Sequence, residues 1–258
     1  MNQLPVALAS LGLLLSSCLN PGPAPRQAAT RTPAVPMQTT RFELLDSSRQ
    51  RVIPIAAYYS AAVAASTKLK LALLSHGYGV KNTAYSFVAQ NLVAHGYYVV
   101  SLQQDLPADA PIPPTGDIRQ TRYPYWKRGG ENIAFAIRAM QRRNPALDTR
   151  HVLLLGHSYG GDIVMLFAQE HPALVEKVIS FDNCRVPLPR TRQPQVFSLR
   201  SRDQVADPGV LPTPAEQAEL GITIIKLPAT PHNKMQDGAT RQQKQEMNEW
   251  VSRFLETP

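Results

Sequence analysis

The sequence has few cysteines: only Cys18 and Cys184 occur in 258 residues. This count excludes a small scaffold held together by several disulfides. The hydrophobic, charged and aromatic fractions, 43%, 18% and 7%, are those of an ordinary globular protein rather than a disordered or fibrous one. The length allows one large domain or two small ones.

Acidic residues are also few, with 19 Asp and Glu against 27 Lys and Arg, which gives a net charge of +8. Such an excess raises the question of a nucleic-acid partner. The basic clusters are short, however, and lack the interleaved aromatic residues of a base-stacking surface. We therefore expect solvated arginines and no nucleic-acid partner. The sequence also shows no metal, nucleotide or phosphate motif, so we expect no cofactor and no metal site.

The N-terminal segment predicts export. Residues 4–15 form a 12-residue apolar run, which fits the hydrophobic part of a signal peptide and is shorter than the about 20 residues of a membrane span. Residues 15–18, LSSC, resemble the bacterial lipobox, although residues 1–3 contain no Lys or Arg. We expect a signal peptide over residues 1–17 and a lipid on Cys18. Export with another cleavage point, or a buried helix, are the alternatives.

Residues 18–40 are predicted to be a tether. Residues 19–40 contain five prolines, no acidic residue and no apolar periodicity. With a lipid on Cys18, the tether would hold residues 41–258 at a membrane of the bacterial cell envelope, in the periplasm or at the outer surface. Cys184 would then be the sole remaining cysteine, so no internal disulfide is expected. The sequence predicts no oligomeric state.

Residues 41–258 alternate strand-like and helix-like runs. This order is typical of an α/β domain, and it predicts a mostly parallel eight-stranded sheet with helices on both faces. A hairpin opens the domain, and six short buried strands follow it. The predicted strands are residues 42–45, 52–59, 69–74, 97–102, 152–155, 177–181, 196–199 and 222–227. Apolar residues recur at helical spacing in residues 84–93, 133–140, 163–167 and 242–255.

A serine motif follows the strand at residues 152–155. Gly156, Ser158 and Gly160 form the pattern G-x-S-x-G, and a predicted helix begins immediately afterwards. In this strand-turn-helix setting the pattern is typical of a nucleophile elbow, which presents its serine on a strained turn. Ser158 is therefore the predicted nucleophile.

A serine hydroxyl needs a neighbouring base. In the chain order serine, acid, histidine, the base is expected late in the sequence. His232 lies in the loop between the last strand and the last helix and is the predicted base. Backbone N–H groups of Tyr159, directly after the serine, and of Tyr78, in the turn after the strand at 69–74, are the predicted oxyanion donors.

Residues 41–258 resemble the α/β-hydrolase fold. Within it, LLSHGYG, YSFVAQNLVAHGYYVVSL and HVLLLGHSYGGD resemble the branch that contains dienelactone hydrolases and platelet-activating-factor acetylhydrolases. The resemblance implies a serine hydrolase that cleaves carboxylic esters of small molecules or lipids through an acyl-enzyme. A catalytically idle envelope lipoprotein that binds an anionic polymer or lipid is one alternative, and a serine amidase or peptidase is another.

The same resemblance leaves two candidates for the acid. Most α/β hydrolases carry it after the penultimate strand, which favours Asp203, with Asp207 nearby. Acetylhydrolase-like members carry it one strand earlier, where Asp182 lies 24 residues after Ser158. We take Asp203 as the expected acid and Asp182 as the alternative.

The cleft is expected to be open. Residues 183–194, between the strands at 177–181 and 196–199, are too few and too rich in proline for a lid domain. A second proline-rich loop is predicted over residues 106–125. The aromatic residues at its end, Tyr125 and Trp126, are predicted to line a substrate pocket together with Tyr78 and Tyr159.

Overall fold

A computed structural model describes Met1 and residues 36–64 and 68–257, and the described residues from 36 onward belong to one compact unit. Apart from Met1, the predicted signal peptide lies outside the described residues, as do Cys18 and residues 19–35 of the predicted tether. The strands are β1 (Gln38–Asp46), β2 (Arg51–Tyr59), β3 (Leu69–Ser75), β4 (Tyr97–Leu102), β5 (Leu147–His157), β6 (Val175–Phe181), β7 (Gln195–Arg200) and β8 (Thr223–Lys226). The helices are α1 (Ala61–Ala64), α2 (Ser86–Ala94), α3 (Ile118–Arg143), α4 (Tyr159–Glu170), α5 (Pro214–Leu220) and α6 (Arg241–Glu256).

All eight strands form one sheet in the order β1-β2-β4-β3-β5-β6-β7-β8. The opening hairpin is antiparallel, and β2 also pairs antiparallel with β4. Every other pairing is parallel. The predicted mostly parallel eight-stranded sheet is confirmed. Because the carboxyl ends of parallel strands meet at one edge, the loops that follow β3, β5, β6, β7 and β8 lie close together there.

The sheet is covered on both faces, as the sequence predicts. Alternate residues of β5 belong to two separate core clusters, because successive side chains of a strand point to opposite faces. Leu154 packs in a cluster with residues of α3 and α4 such as Ile163. Leu153 packs in a cluster with residues of α2 and α6 such as Val251. The central strand is therefore buried on both sides, which explains its continuous apolar sequence.

Two segments predicted to lack regular structure, the loop at residues 106–125 and the tether, are partly helix and strand in the structure. Helix α3 begins at Ile118, so residues 118–125 of the predicted loop at 106–125 are helical and Pro124 lies inside the helix. The Asp117 carboxylate caps the helix by accepting hydrogen bonds from the N–H groups of Arg119 and Gln120. In the second segment, β1 begins at Gln38, so residues 38–40 of the predicted tether belong to the sheet.

The segment between β6 and β7 contains no helix, in agreement with the expected absence of a lid domain. Of the helices within residues 36–64 and 68–257, none is both long and apolar enough to span a bilayer.

A buried lysine fastens the last helix to the sheet. The Nζ atom of Lys177, on β6, donates to the backbone oxygens of Phe254 at 3.2 Å and Thr257 at 2.6 Å. The last carbonyl groups of a helix have no partner within the helix. Lys177 therefore supplies a donor to the carboxyl end of α6 and keeps that end beside the start of β6.

A close approach of two backbones requires glycine at position 160. A Cβ atom there would overlap the carbonyl oxygens of Ser75 and His76. We expect Gly160→Ala to lower the free energy of unfolding by about 3 kcal/mol, because backbone atoms have little freedom to move aside. Urea denaturation followed by circular dichroism measures the change.

Gly130, inside α3, is the matched control. Its added methyl group would lie 3.8 Å from the nearest atom of Phe167, an ordinary contact. We expect Gly130→Ala to raise stability by about 0.5 to 1 kcal/mol, since alanine suits a helix interior better than glycine. Equal stabilities of the two variants would contradict the close approach at Gly160.

Candidate active site

Ser158 lies on a strained turn between β5 and α4. Its φ of 53° and ψ of −119° are unusual for a residue other than glycine. The turn is held on both sides: the Ser158 N–H donates to the Phe181 oxygen at 2.8 Å, and the Ser158 oxygen accepts from the Asp162 N–H at 2.9 Å. The turn is so tight that a Cβ atom on Gly156 would overlap the backbone of Gly160. The structure thus places Ser158 in the predicted elbow.

His232 follows β8 and begins a short 3₁₀ turn, His232–Lys234. Its Nε2 atom lies 2.9 Å from the Ser158 Oγ. Its Nδ1 atom lies 2.6 Å from the Asp182 Oδ2. If the serine hydroxyl donates to Nε2, then Nδ1 carries the ring proton and donates to the carboxylate. The structure therefore brings the predicted nucleophile, the predicted base and the alternative acid into one line of contacts.

Asp182 is fully buried at the end of β6 and has a positive φ of 61°. Its other carboxylate oxygen lies 2.9 Å from the guanidinium of Arg200 and accepts the Ser201 N–H at 3.2 Å. Burial raises the pKa of Asp182, but the hydrogen bond from His232 and the charge of Arg200 outweigh it, so the pKa lies below its usual value. Asp182 is therefore a stable anion against the imidazole.

The structure does not place Asp203, the expected acid, against the imidazole ring of His232. Asp203 is exposed, and its carboxylate accepts a hydrogen bond from the backbone N–H of His232 at 2.7 Å instead of from the ring. This hydrogen bond lowers the pKa of Asp203. Asp203 thus fixes the loop that carries the base, whereas Asp207 forms an ion pair with Arg185.

Tyr78 and Tyr159 line the cleft above Ser158. Tyr159 is the first residue of α4, where backbone N–H groups have no partner within the helix. Its ring lies edge-on to the ring of Tyr78, with centroids 6.0 Å apart. The Tyr159 hydroxyl donates toward the Asp105 carboxylate at 3.2 Å. These positions are compatible with the predicted role of the Tyr78 and Tyr159 N–H groups as oxyanion donors, which stays a prediction.

The predicted pocket residues Tyr125 and Trp126 do not line the cleft. Trp126 is 3% exposed and packs in the core between α3 and the sheet. Tyr125 packs against the same core, and its hydroxyl donates to the Pro111 oxygen at 3.0 Å. The prediction fails because α3 begins before these residues, and within the helix Trp126 packs into the core while the Tyr125 hydroxyl bonds to the Pro111 oxygen.

Sequence reasoning missed most of the other cleft residues. The cleft has a volume of about 290 Å³, and its wall includes Ile112, Pro114, Arg122, Asp162, Cys184, Arg185 and Gln204. Asp162, in the first turn of α4, accepts the N–H groups of Arg185 and Val186 at 2.9 Å each. Burial nevertheless raises its pKa to about 6. The signal available in the sequence was the position of Asp162 directly after the two glycines of the elbow. Within the described ranges, no three His, Cys, Asp or Glu side chains are grouped as metal ligands would be.

Comparisons with known proteins agree with this architecture. Residues 67–182 match the hydrolase family described as serine aminopeptidase, S33. No curated protein has a significantly similar sequence.

Solved structures share the fold at low sequence identity. An esterase from Rhizomucor miehei is 10% identical with a TM-score of 0.62, and the match covers 86% of this chain and 83% of that one. A dienelactone hydrolase-like promiscuous phosphotriesterase from metagenomic libraries is 13% identical with a TM-score of 0.61, over 84% of this chain and 95% of that one. A ferulic acid esterase from Streptomyces cinnamoneus is 18% identical with a TM-score of 0.57, over 81% and 78%. The chain therefore has the α/β-hydrolase fold, in which it is similar to dienelactone hydrolase-like and esterase structures, and its residues 67–182 are similar to the serine aminopeptidase family.

Proposed function

We propose that this protein is a serine hydrolase that cleaves carboxylic esters through an acyl-enzyme intermediate. The observation that carries the proposal is the pair of contacts of His232, 2.9 Å to the Ser158 Oγ and 2.6 Å to the Asp182 Oδ2. These distances are those of a nucleophile, a base and an orienting acid.

In the acylation step, the Ser158 Oγ attacks the ester carbonyl carbon while His232 Nε2 takes the hydroxyl proton. Asp182 stabilises the imidazolium that forms, and it keeps the Nδ1 proton on the ring. The N–H groups of Tyr78 and Tyr159 hold the negative oxygen of the tetrahedral intermediate. His232 then gives its proton to the departing alkoxy oxygen, and an alcohol leaves.

In the deacylation step, His232 takes a proton from a water molecule, and the water oxygen attacks the acyl carbon. The second tetrahedral intermediate collapses when His232 protonates Ser158 Oγ, which frees the carboxylic acid and restores the enzyme. Each step moves one proton through Nε2 of a single ring, so the reaction needs no redox partner.

An ester is proposed over an amide because solved structures with this fold include proteins named esterases. The cleft is small, and the segment between β6 and β7 adds no lid. A location in the cell envelope, with a lipid anchor on Cys18, belongs to the same proposal. It is supported by the apolar run at residues 4–15 and by LSSC at residues 15–18.

A panel of p-nitrophenyl esters of increasing acyl length tests the function. We expect the acetate and butyrate to react faster than the laurate, because about 290 Å³ is at the small end of ligand pockets. A fluorophosphonate probe should label Ser158. Absence of both labelling and hydrolysis would contradict the proposal and favour an idle binding protein. Faster cleavage of aminoacyl p-nitroanilides than of every ester would favour a peptidase.

A further inference from the structure

A chain of three hydrogen bonds, two buried and one partly buried, joins the turn after β3 to the loop after β8. The Gly77 N–H donates to the Tyr85 hydroxyl at 2.9 Å. The Tyr85 hydroxyl lies 2.8 Å from His157 Nδ1. His157 Nε2 lies 3.1 Å from the backbone oxygen of His232. Tyr85 is 2% exposed and His157 3% exposed, so water does not compete for these groups.

The chemistry of these groups fixes the direction of each hydrogen bond. The carbonyl oxygen of His232 only accepts, so His157 donates to it from Nε2. The neutral imidazole then accepts at Nδ1, so the Tyr85 hydroxyl donates its proton to Nδ1 while its oxygen accepts the Gly77 N–H. Every donor and acceptor in the chain is then satisfied.

Both side chains are neutral near pH 7. Burial and the neighbouring His232 lower the pKa of His157 to about 3. Burial raises the pKa of the Tyr85 hydroxyl well above its usual value. The rings of His157 and His232 are 4.9 Å apart, and a neutral His157 adds no full positive charge beside the imidazolium that His232 forms during the reaction.

The chain joins two parts of the site that are far apart in sequence. Gly77 directly precedes Tyr78, whose N–H is a predicted oxyanion donor, and His232 is the proposed base. We propose that Tyr85 and His157 are positioning residues, which hold the turn and the histidine loop in the arrangement that acyl transfer needs. This inference rests on the proposed function. It assigns a task to His157, the residue before the nucleophile, beyond its place in the G-x-S-x-G pattern.

Substitution of Tyr85 by Phe removes the central hydroxyl and keeps the buried ring. We expect kcat for p-nitrophenyl butyrate to fall about 10-fold, which corresponds to the loss of one net hydrogen bond, while KM changes less than about 2-fold because neither residue lines the cleft. Tyr97→Phe is the matched control. Tyr97 is 4% exposed in the same core cluster but begins β4 at the opposite edge of the sheet.

A second pair of variants separates positioning from packing. In His157→Gln, the amide nitrogen can take the place of Nε2 and donate to the His232 oxygen, whereas His157→Met fills the space without a donor. We expect the Gln variant to keep a kcat at least about 5-fold above that of the Met variant. This pair also decides the question if Tyr85→Phe does not fold.

The possible failures are distinguishable. A wild-type protein that neither hydrolyses esters nor reacts with a fluorophosphonate would refute the proposed function. If the wild type is active, equal kcat values of Tyr85→Phe and Tyr97→Phe would refute the positioning role alone. Equal kcat values of the two His157 variants would do the same. A rise in KM with unchanged kcat would likewise place the effect in substrate binding and overturn the inference.

Discussion

Ser158→Ala is expected to lower kcat for p-nitrophenyl butyrate by about 10⁶, because the three residues of a triad act as a unit and the other two cannot replace the nucleophile. The change removes one oxygen atom from a turn whose backbone hydrogen bonds remain. The fold should therefore persist, and circular dichroism with thermal unfolding checks it. Fluorophosphonate labelling should be lost together with turnover.

Ser252→Ala, on α6, serves as a control for serine removal, since its hydroxyl bonds to Asn91 away from the cleft. It should leave kcat unchanged. A Ser158→Ala variant with turnover close to wild type would show that the hydrolysis arises at another group, and the mechanism above would be wrong.

Asp182→Asn is expected to lower kcat by about 10⁴. An amide at this place no longer requires the proton of His232 on Nδ1, so the base loses the tautomer that leaves Nε2 free to accept. Asp203→Asn is the matched substitution. Its amide oxygen still accepts the backbone N–H of His232, so kcat should stay within about 3-fold of wild type. Steady-state kinetics of the two purified variants measures both values.

The opposite order, a large loss in Asp203→Asn with near-normal Asp182→Asn, would contradict the geometry. Because Asp182→Asn leaves Arg200 without its anionic partner, the stability of this variant should be measured by thermal unfolding alongside its kinetics. A folded Asp182→Asn variant with wild-type kcat would also refute the role of Asp182.

Much of the fold could be predicted because the strands of a covered parallel sheet are continuous apolar runs, as in residues 152–155. The start of α3 could not. Proline suggests a loop, yet Pro124 lies near the beginning of the helix, and the Asp117 cap compensates for part of what it removes. Because the sequence did not reveal that α3 begins before Tyr125 and Trp126, the prediction that these two side chains line the pocket was also affected.

The site was predictable where a local pattern determines it and not where packing does. The G-x-S-x-G turn identifies Ser158, and chain order identifies His232. Which aspartate contacts the His232 ring depends on how the loop after β8 packs against the ends of β6 and β7, which lie at the same edge of the sheet. Arg200 beneath Asp182 and the backbone contact of Asp203 decide that position, and both are tertiary contacts. The hydroxyl of Tyr85 was equally hidden, because its partners are 8 and 72 residues away.

Both ends of the described domain leave from one side of the molecule. Strand β1 runs in the same direction as β4, so Gln38 lies at the edge where the parallel strands begin. Lys177 holds Thr257 at that edge as well. Ser158, Asp182 and His232 all follow the opposite, carboxyl ends of their strands. An affinity tag, a fusion partner or a solid support joined at Gln38 or Thr257 would therefore sit at the edge of the sheet opposite Ser158, and immobilised protein would keep its cleft open to solution.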